Sequence, residues 1–182
     1  EMADNRVAIA NAGGIPLLVN LVASASEEAI EQAAGALQNL AQSNPDNQRD
    51  IAQGLVRELS KGSVSTCEHV TTLLRNLAHD PKNRSAIAKA GAVPELVRQL
   101  ECGSEKSMGM AASALALIAL KSAEHRATVT KELVKLLGST NESVRQRASE
   151  ALRDMAAEEK PGAQKQKRGG PSSAGDAQQS LG

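Results

Sequence analysis

Apolar positions along this chain recur with a helical period, and nowhere with the two-residue alternation of a strand. Ala33, Ala34, Ala36, Leu37, Leu40 and Ala41 fall on one helix face, and Val70, Leu73, Leu74, Leu77 and Ala78 form the same face further on. A shorter apolar stretch precedes each face: Leu18-Val19-Asn20-Leu21-Val22, Leu55-Val56-Arg57-Glu58-Leu59, Leu96-Val97-Arg98-Gln99-Leu100 and Leu133-Val134-Lys135-Leu136-Leu137. Eighteen positions after the last residue of each stretch stands the last residue of a second signature. The second signatures read Ala36-Leu37-Gln38-Asn39-Leu40, Leu73-Leu74-Arg75-Asn76-Leu77, Ala114-Leu115-Ala116-Leu117-Ile118 and Ala151-Leu152-Arg153-Asp154-Met155. Four units follow, near residues 4–45, 46–81, 82–123 and 124–158, in an array spanning 1–158.

The punctuation refines this picture. Onsets at Asn5, Asn47, Asn83 and His125 are spaced 42, 36 and 42 residues apart. The first unit's Asn5-Arg6-Val7-Ala8-Ile9-Ala10-Asn11-Ala12-Gly13-Gly14-Ile15-Pro16 returns in the third as Asn83-Arg84-Ser85-Ala86-Ile87-Ala88-Lys89-Ala90-Gly91-Ala92-Val93-Pro94. Glycine there suits the left-handed turn that ends a short helix, and proline the first turn of the next. Units two and four lack this corner, so their opening helices are expected to fuse or shorten into two-helix units. Ser26, Ser63, Ser104 and Asn141 stand thirteen residues before Asn39, Asn76, Leu117 and Asp154, where they should cap the last helix of each unit. From about Glu158 the helical pattern ends, and residues 159–182 read as a disordered tail.

A unit of this length cannot bury its own apolar face, so the units must stack. The fold expected is an all-α solenoid whose working part is a long surface. Composition removes several other functions. Basic and acidic residues both number 21, and residues 1–159 carry net −3, with no aromatic side chain to stack on a base, so nucleic acid is not an expected partner. No stretch approaches the ~20 apolar residues of a membrane span. Cys67 and Cys102 lack metal-ligand spacing and read as reduced thiols of an intracellular, cytoplasmic protein, with the nucleus open to it. His69, His79 and His125 are not spaced as ligands or beside a nucleophile, and no phosphate loop or catalytic set is present. The expectations are therefore no catalysis, no metal, no cofactor and no small-molecule substrate. A start at Glu1, directly before the first unit, suggests a fragment.

The run Asn-Arg-x-x-Ile-Ala-x-Ala-Gly-Gly-Ile-Pro-Leu-Leu-Val, followed by Ala-Gly-Ala-Leu-Gln-Asn-Leu-Ala, resembles the armadillo repeat family over about residues 4–157. The flavour is that of the arrays in U-box ubiquitin ligases and vacuolar armadillo adaptors. The resemblance implies three-helix units wound into a right-handed superhelix, with third helices lining a concave groove that holds an extended peptide. It also implies a ladder of groove asparagines, here Asn39 and Asn76, interrupted by Leu117 and Asp154.

Positions seven, four and zero residues back from the ladder share one stripe of a helix, away from the core face. Across the units the stripe reads Gln32, Gly35 and Asn39; His69, Thr72 and Asn76; Met110, Ser113 and Leu117; and Arg147, Glu150 and Asp154. It runs from neutral polar through apolar to charged. A segment bound along it would be held by its backbone at one end, would place an apolar side chain near Met110 and Leu117, and would bring a basic residue to Glu150 and Asp154. The chain reads as a non-catalytic scaffold or adaptor for an extended segment of another protein. The alternative is the substrate-recognition fragment of a U-box-type ubiquitin ligase.

Overall fold

The computed structural model describes residues 2–24, 26–120 and 122–157, with backbone alone for residues 2, 3 and 24. The tail expected at 159–182 lies outside the described residues. Ten helices and no strand are found among the described residues: α1 (Met2–Asn11), α2 (Gly14–Ser24), α3 (Glu27–Ala41), α4 (Pro45–Lys61), α5 (Val64–Ala78), α6 (Pro81–Lys89), α7 (Ala92–Cys102), α8 (Glu105–Ala119), α9 (Ala123–Leu136) and α10 (Glu142–Ala157). This is the all-α solenoid that the stacked periodicity demands.

The helices group as three, two, three and two. At the first corner α1 and α2 meet at a bend of 74°. Gly13 supplies φ +79° there, and Gly91 supplies φ +86° at the equivalent corner between α6 and α7. L side chains disfavour that backbone, which is why glycine holds both corners. Where the corner residues are missing, the chain runs on as one helix, α4 of 17 residues and α9 of 14.

The four expected caps are in place. The hydroxyls of Ser26, Ser63 and Ser104 accept from the amides of Ala29, Thr66 and Ser107, and the Asn141 side chain accepts from Ser143. Asn44, Asp80 and Ser122 cap α4, α6 and α9 in the same way. Each bond satisfies one of the amides that a helix start leaves without an internal partner.

The core is a single spine. Leu37, Leu74 and Leu115 hold one register of α3, α5 and α8 and are fully buried, while Leu152, at the same register of α10, is only part-buried at the array's end. Without aromatics the spacing is set by Leu, Ile, Val and Ala, and close packing relies on Ala111, Ala112, Ala114, Ala116 and Ala119 along α8. The third helices α5, α8 and α10 pack side by side. By contrast α3 packs chiefly against α2 and touches α5 only lightly.

Polar staples lock successive units together. The Asn47 amide donates to Leu40 O at 2.9 Å, and Gln48 to Ala41 O at 2.9 Å. One junction later, Asn83 donates to Leu77 O at 2.9 Å and Arg84 Nε to Ala78 O at 2.8 Å. At these two junctions the start of the lateral helix thus closes the C-terminal carbonyls of the preceding third helix, which would otherwise be buried and unpaired. Thr66 Oγ1 donates to Ala23 O at 2.9 Å, and the Arg98 guanidinium to Leu59 O, adding bonds across units.

Candidate functional site

The stripe residues all fall on the third helices, but they do not form one even ladder. Gln32, Gly35 and Asn39 are exposed on α3; on α5, His69 and Thr72 are half-buried and Asn76 is exposed. Met110, Ser113 and Leu117 are half-buried on α8; on α10, Arg147 and Glu150 are half-buried and Asp154 is exposed.

Two depressions organise them. Because α3 leans away from α5, a cleft of about 490 Å³ opens there and takes in His69, Thr72 and Asn76. Its floor is apolar, from Val22, Ile30, Ala34 and Leu73, and its rim carries Glu27, Glu28, Glu31 and Lys106. A smaller hollow of about 230 Å³ between α8 and α10 brings Ser113, Leu117 and Asp154 together with Ala116, Leu120 and Ala157. Gln32, Gly35, Asn39, Met110, Arg147 and Glu150 line neither.

The two ladder asparagines are half-engaged. Asn39 Oδ1 accepts from Gln42 at 3.5 Å, and Asn76 Oδ1 from Arg75 at 3.3 Å. Their amide N–H groups have no acceptor among the described residues, so each can donate to an incoming carbonyl. Arg75 also donates to Ser113 Oγ at 3.3 Å, tying α5 to α8 across this face. The Thr72 hydroxyl donates to Glu68 O at 2.8 Å, within its own helix.

Neighbouring third helices are clasped near their starts. Glu27 at the first position of α3 faces His69 at 3.6 Å, and Glu105 at the first position of α8 faces Arg147 at 3.5 Å. The middle junction has Val64 and Met110 at the corresponding positions, with Val64 the more open, 68 % exposed, and is bridged instead by Lys106 and Glu68 at 3.9 Å. Arg147 also pairs with Glu150 at 3.0 Å, and this hydrogen bond is the main cause raising its pKa. The Glu150 carboxyl is held below its ordinary range, first by the Gln146 amide and then by Arg147. Glu150 is thus already compensated, whereas Asp154 forms no ion pair among the described residues.

The stripe rule missed Glu27, Glu28 and Glu31. Three carboxylates in the first turns of a helix read as ordinary decoration of its positive end. The signal present was their crowding into five residues of a balanced chain.

No group of three or more His, Cys, Asp and Glu fit to hold a metal occurs among the described residues. No single described helix is long and apolar enough to cross a membrane.

Comparison with known proteins agrees with this fold. A family model described as Armadillo/beta-catenin-like repeat matches residues 2–42 and 80–120. Among solved structures, an engineered protein is 33% identical over 85% of this chain and 67% of its own, with a TM-score of 0.55. Computationally designed armadillo repeat proteins for modular peptide recognition are 28% identical over 85% and 69%, at 0.54. A designed armadillo repeat protein in complex with the peptide (KR)4 is 27% identical over 85% and 71%, at 0.56. No curated protein matches.

Proposed function

Since this chain belongs to the Armadillo/beta-catenin-like repeat family, we propose that it is a non-catalytic scaffold whose third-helix layer binds an extended segment of a partner protein. The observation that carries the proposal is the pair of outward amides of Asn39 and Asn76, on successive third helices, with Asn76 at the edge of the α3–α5 cleft. An extended backbone has a carbonyl at every residue and needs such donors. Two of the similar solved structures are designed for peptide recognition or hold a peptide, which supports the same reading.

The charges suggest the partner's character. The cleft pairs an apolar floor with Glu27, Glu28 and Glu31 at the rim, so it suits a long basic side chain that lays its alkyl stem on Leu73 and Ile30 and its head among the carboxylates. An apolar side chain fits beside Leu117, and a second basic residue meets Asp154 more readily than the compensated Glu150. The paired absence of a disulfide partner for Cys67 and Cys102 fits an intracellular adaptor.

An arrayed library of extended peptides, probed with wild type and with an Asn39→Ala, Asn76→Ala double variant, tests the reading. Each lost bond is worth about 0.5–1.5 kcal/mol, so the best peptides should weaken roughly fivefold to a hundredfold with circular dichroism unchanged. Undiminished binding by the double variant would move the site off this layer.

A further inference from the structure

A groove of about 670 Å³ lies between α4 and α6, larger than either depression on the third-helix layer. None of its lining residues belongs to a third helix. It lies where the unbroken α4 packs beside the shorter α6, which ends at the Gly91 corner. Ser43, at the positive φ of 54°, closes one end of the trough, and Ala90 borders it beside the corner.

Its electrostatics run against the rest of the chain. Seventeen basic residues face twenty acidic ones across residues 1–159, yet the three ionisable side chains lining this groove are Arg49, Lys82 and Lys89. Lys82 reaches only the Ser43 hydroxyl, at 3.5 Å, and neither Lys82 nor Lys89 has a carboxylate partner among the described residues. Asp46, Asp50 and Asp80 stand nearby but outside the lining. Asp46 and Asp50 pair with Arg49 and offset its charge, and Asp80 accepts from the Lys82 amide as the cap of α6, so the unpaired cations of the lining are Lys82 and Lys89. Between the cations lie the Gln53 amide and the hydroxyls of Ser43 and Ser85, over a floor of Pro45, Ala86 and Ala90, while the buried Gln48 amide is engaged by Ala41 O.

We propose that the α4–α6 groove is a second docking surface, taking a carboxylate-rich segment of a partner protein, separate from the third-helix layer. The walls supply ammonium groups and neutral donors for carboxylates, and the floor accepts short apolar side chains between them. A scaffold with two such surfaces holds segments of opposite charge at separate places.

The test uses a fluorescein-labelled peptide of alternating Glu and Ala, with an alternating Lys and Ala peptide as control, followed by anisotropy. The acidic peptide should bind wild type and weaken as salt rises toward a Debye length of about 8 Å. Lys82→Glu with Lys89→Glu should weaken it at least about tenfold. Lys131→Glu, an equal charge change per site on exposed α9, and the Asn39→Ala, Asn76→Ala variant should both leave it unchanged. No binding by wild type, full binding by the groove variant, or an equal loss from Lys131→Glu would each overturn the assignment. Circular dichroism of the groove variant must match wild type, and a Lys82→Gln, Lys89→Gln pair with an intermediate loss separates charge from folding.

Discussion

Leu74 and Leu115 are fully buried at the same register of adjacent third helices, with no aromatic ring nearby to collapse into a vacated space. Truncating either to Ala should cost about 2–5 kcal/mol in urea unfolding, and an unchanged midpoint would contradict their place in the spine. Asn83 differs in kind. Its amide satisfies Leu77 O inside the stack, so Asn83→Ala should cost about 1–3 kcal/mol although it removes little apolar area. The Glu150 carboxyl, held by Gln146 and Arg147, should titrate below the ordinary glutamate range in an NMR pH series, and Gln146→Ala should move it back up. A depressed carboxyl stabilises the fold above its unfolded value, and that contribution fades as pH falls through the lowered one; the group is too exposed for the loss to be large. The two classes of residue differ in legibility. Ser63 announces itself as a cap because its acceptor role is local, three residues from its donor. Asn47 and Asn83 mark unit onsets in the sequence, but the carbonyls they close belong to another helix, and only packing reveals that job.

At the scale of elements, the fused α4 and α9 follow from a missing Gly and Pro, which is why they were readable in advance. Adding glycine back should restore the bend. A Gly-Gly-Ile-Pro insertion after Gln53 is expected to split α4 and lower its helicity, read as faster amide exchange over residues 45–61 than in wild type. The lean of α3 away from α5 was not readable. Both helices carry the same apolar face and the same type of cap, and the difference arises because α3 rests mainly on α2. The rim of Glu27, Glu28 and Glu31 follows from that lean, so the helix face of the candidate residues was legible while the depth and charge of the cleft were not. Clasps between Glu27 and His69, and between Glu105 and Arg147, were hidden for the same reason: each half lies on a different helix.

Across the whole molecule, stability should be graded rather than uniform, since each unit leans on its neighbours. Val7 and Ile9 on α1 are each 46 % exposed, whereas Ile87, the register mate of Ile9, is buried under α4 and α5. Hydrogen exchange should therefore open residues 4–22 before residues 105–119; the reverse order would show that α1 and α2 are held by contacts other than those described. The alternation of three-helix and two-helix units also gives the chain a parity. The Gly corners, the Glu27–His69 and Glu105–Arg147 contacts and the family-model matches all recur once per pair of units, a step of 78 residues from Asn5 to Asn83. Duplicating one unit would set like against like, leaving a lateral trough without its unbroken wall or a clasp without its partner. Duplicating a pair keeps every junction, so a chain lengthened by a repeated pair should melt higher than one lengthened by a single repeated unit.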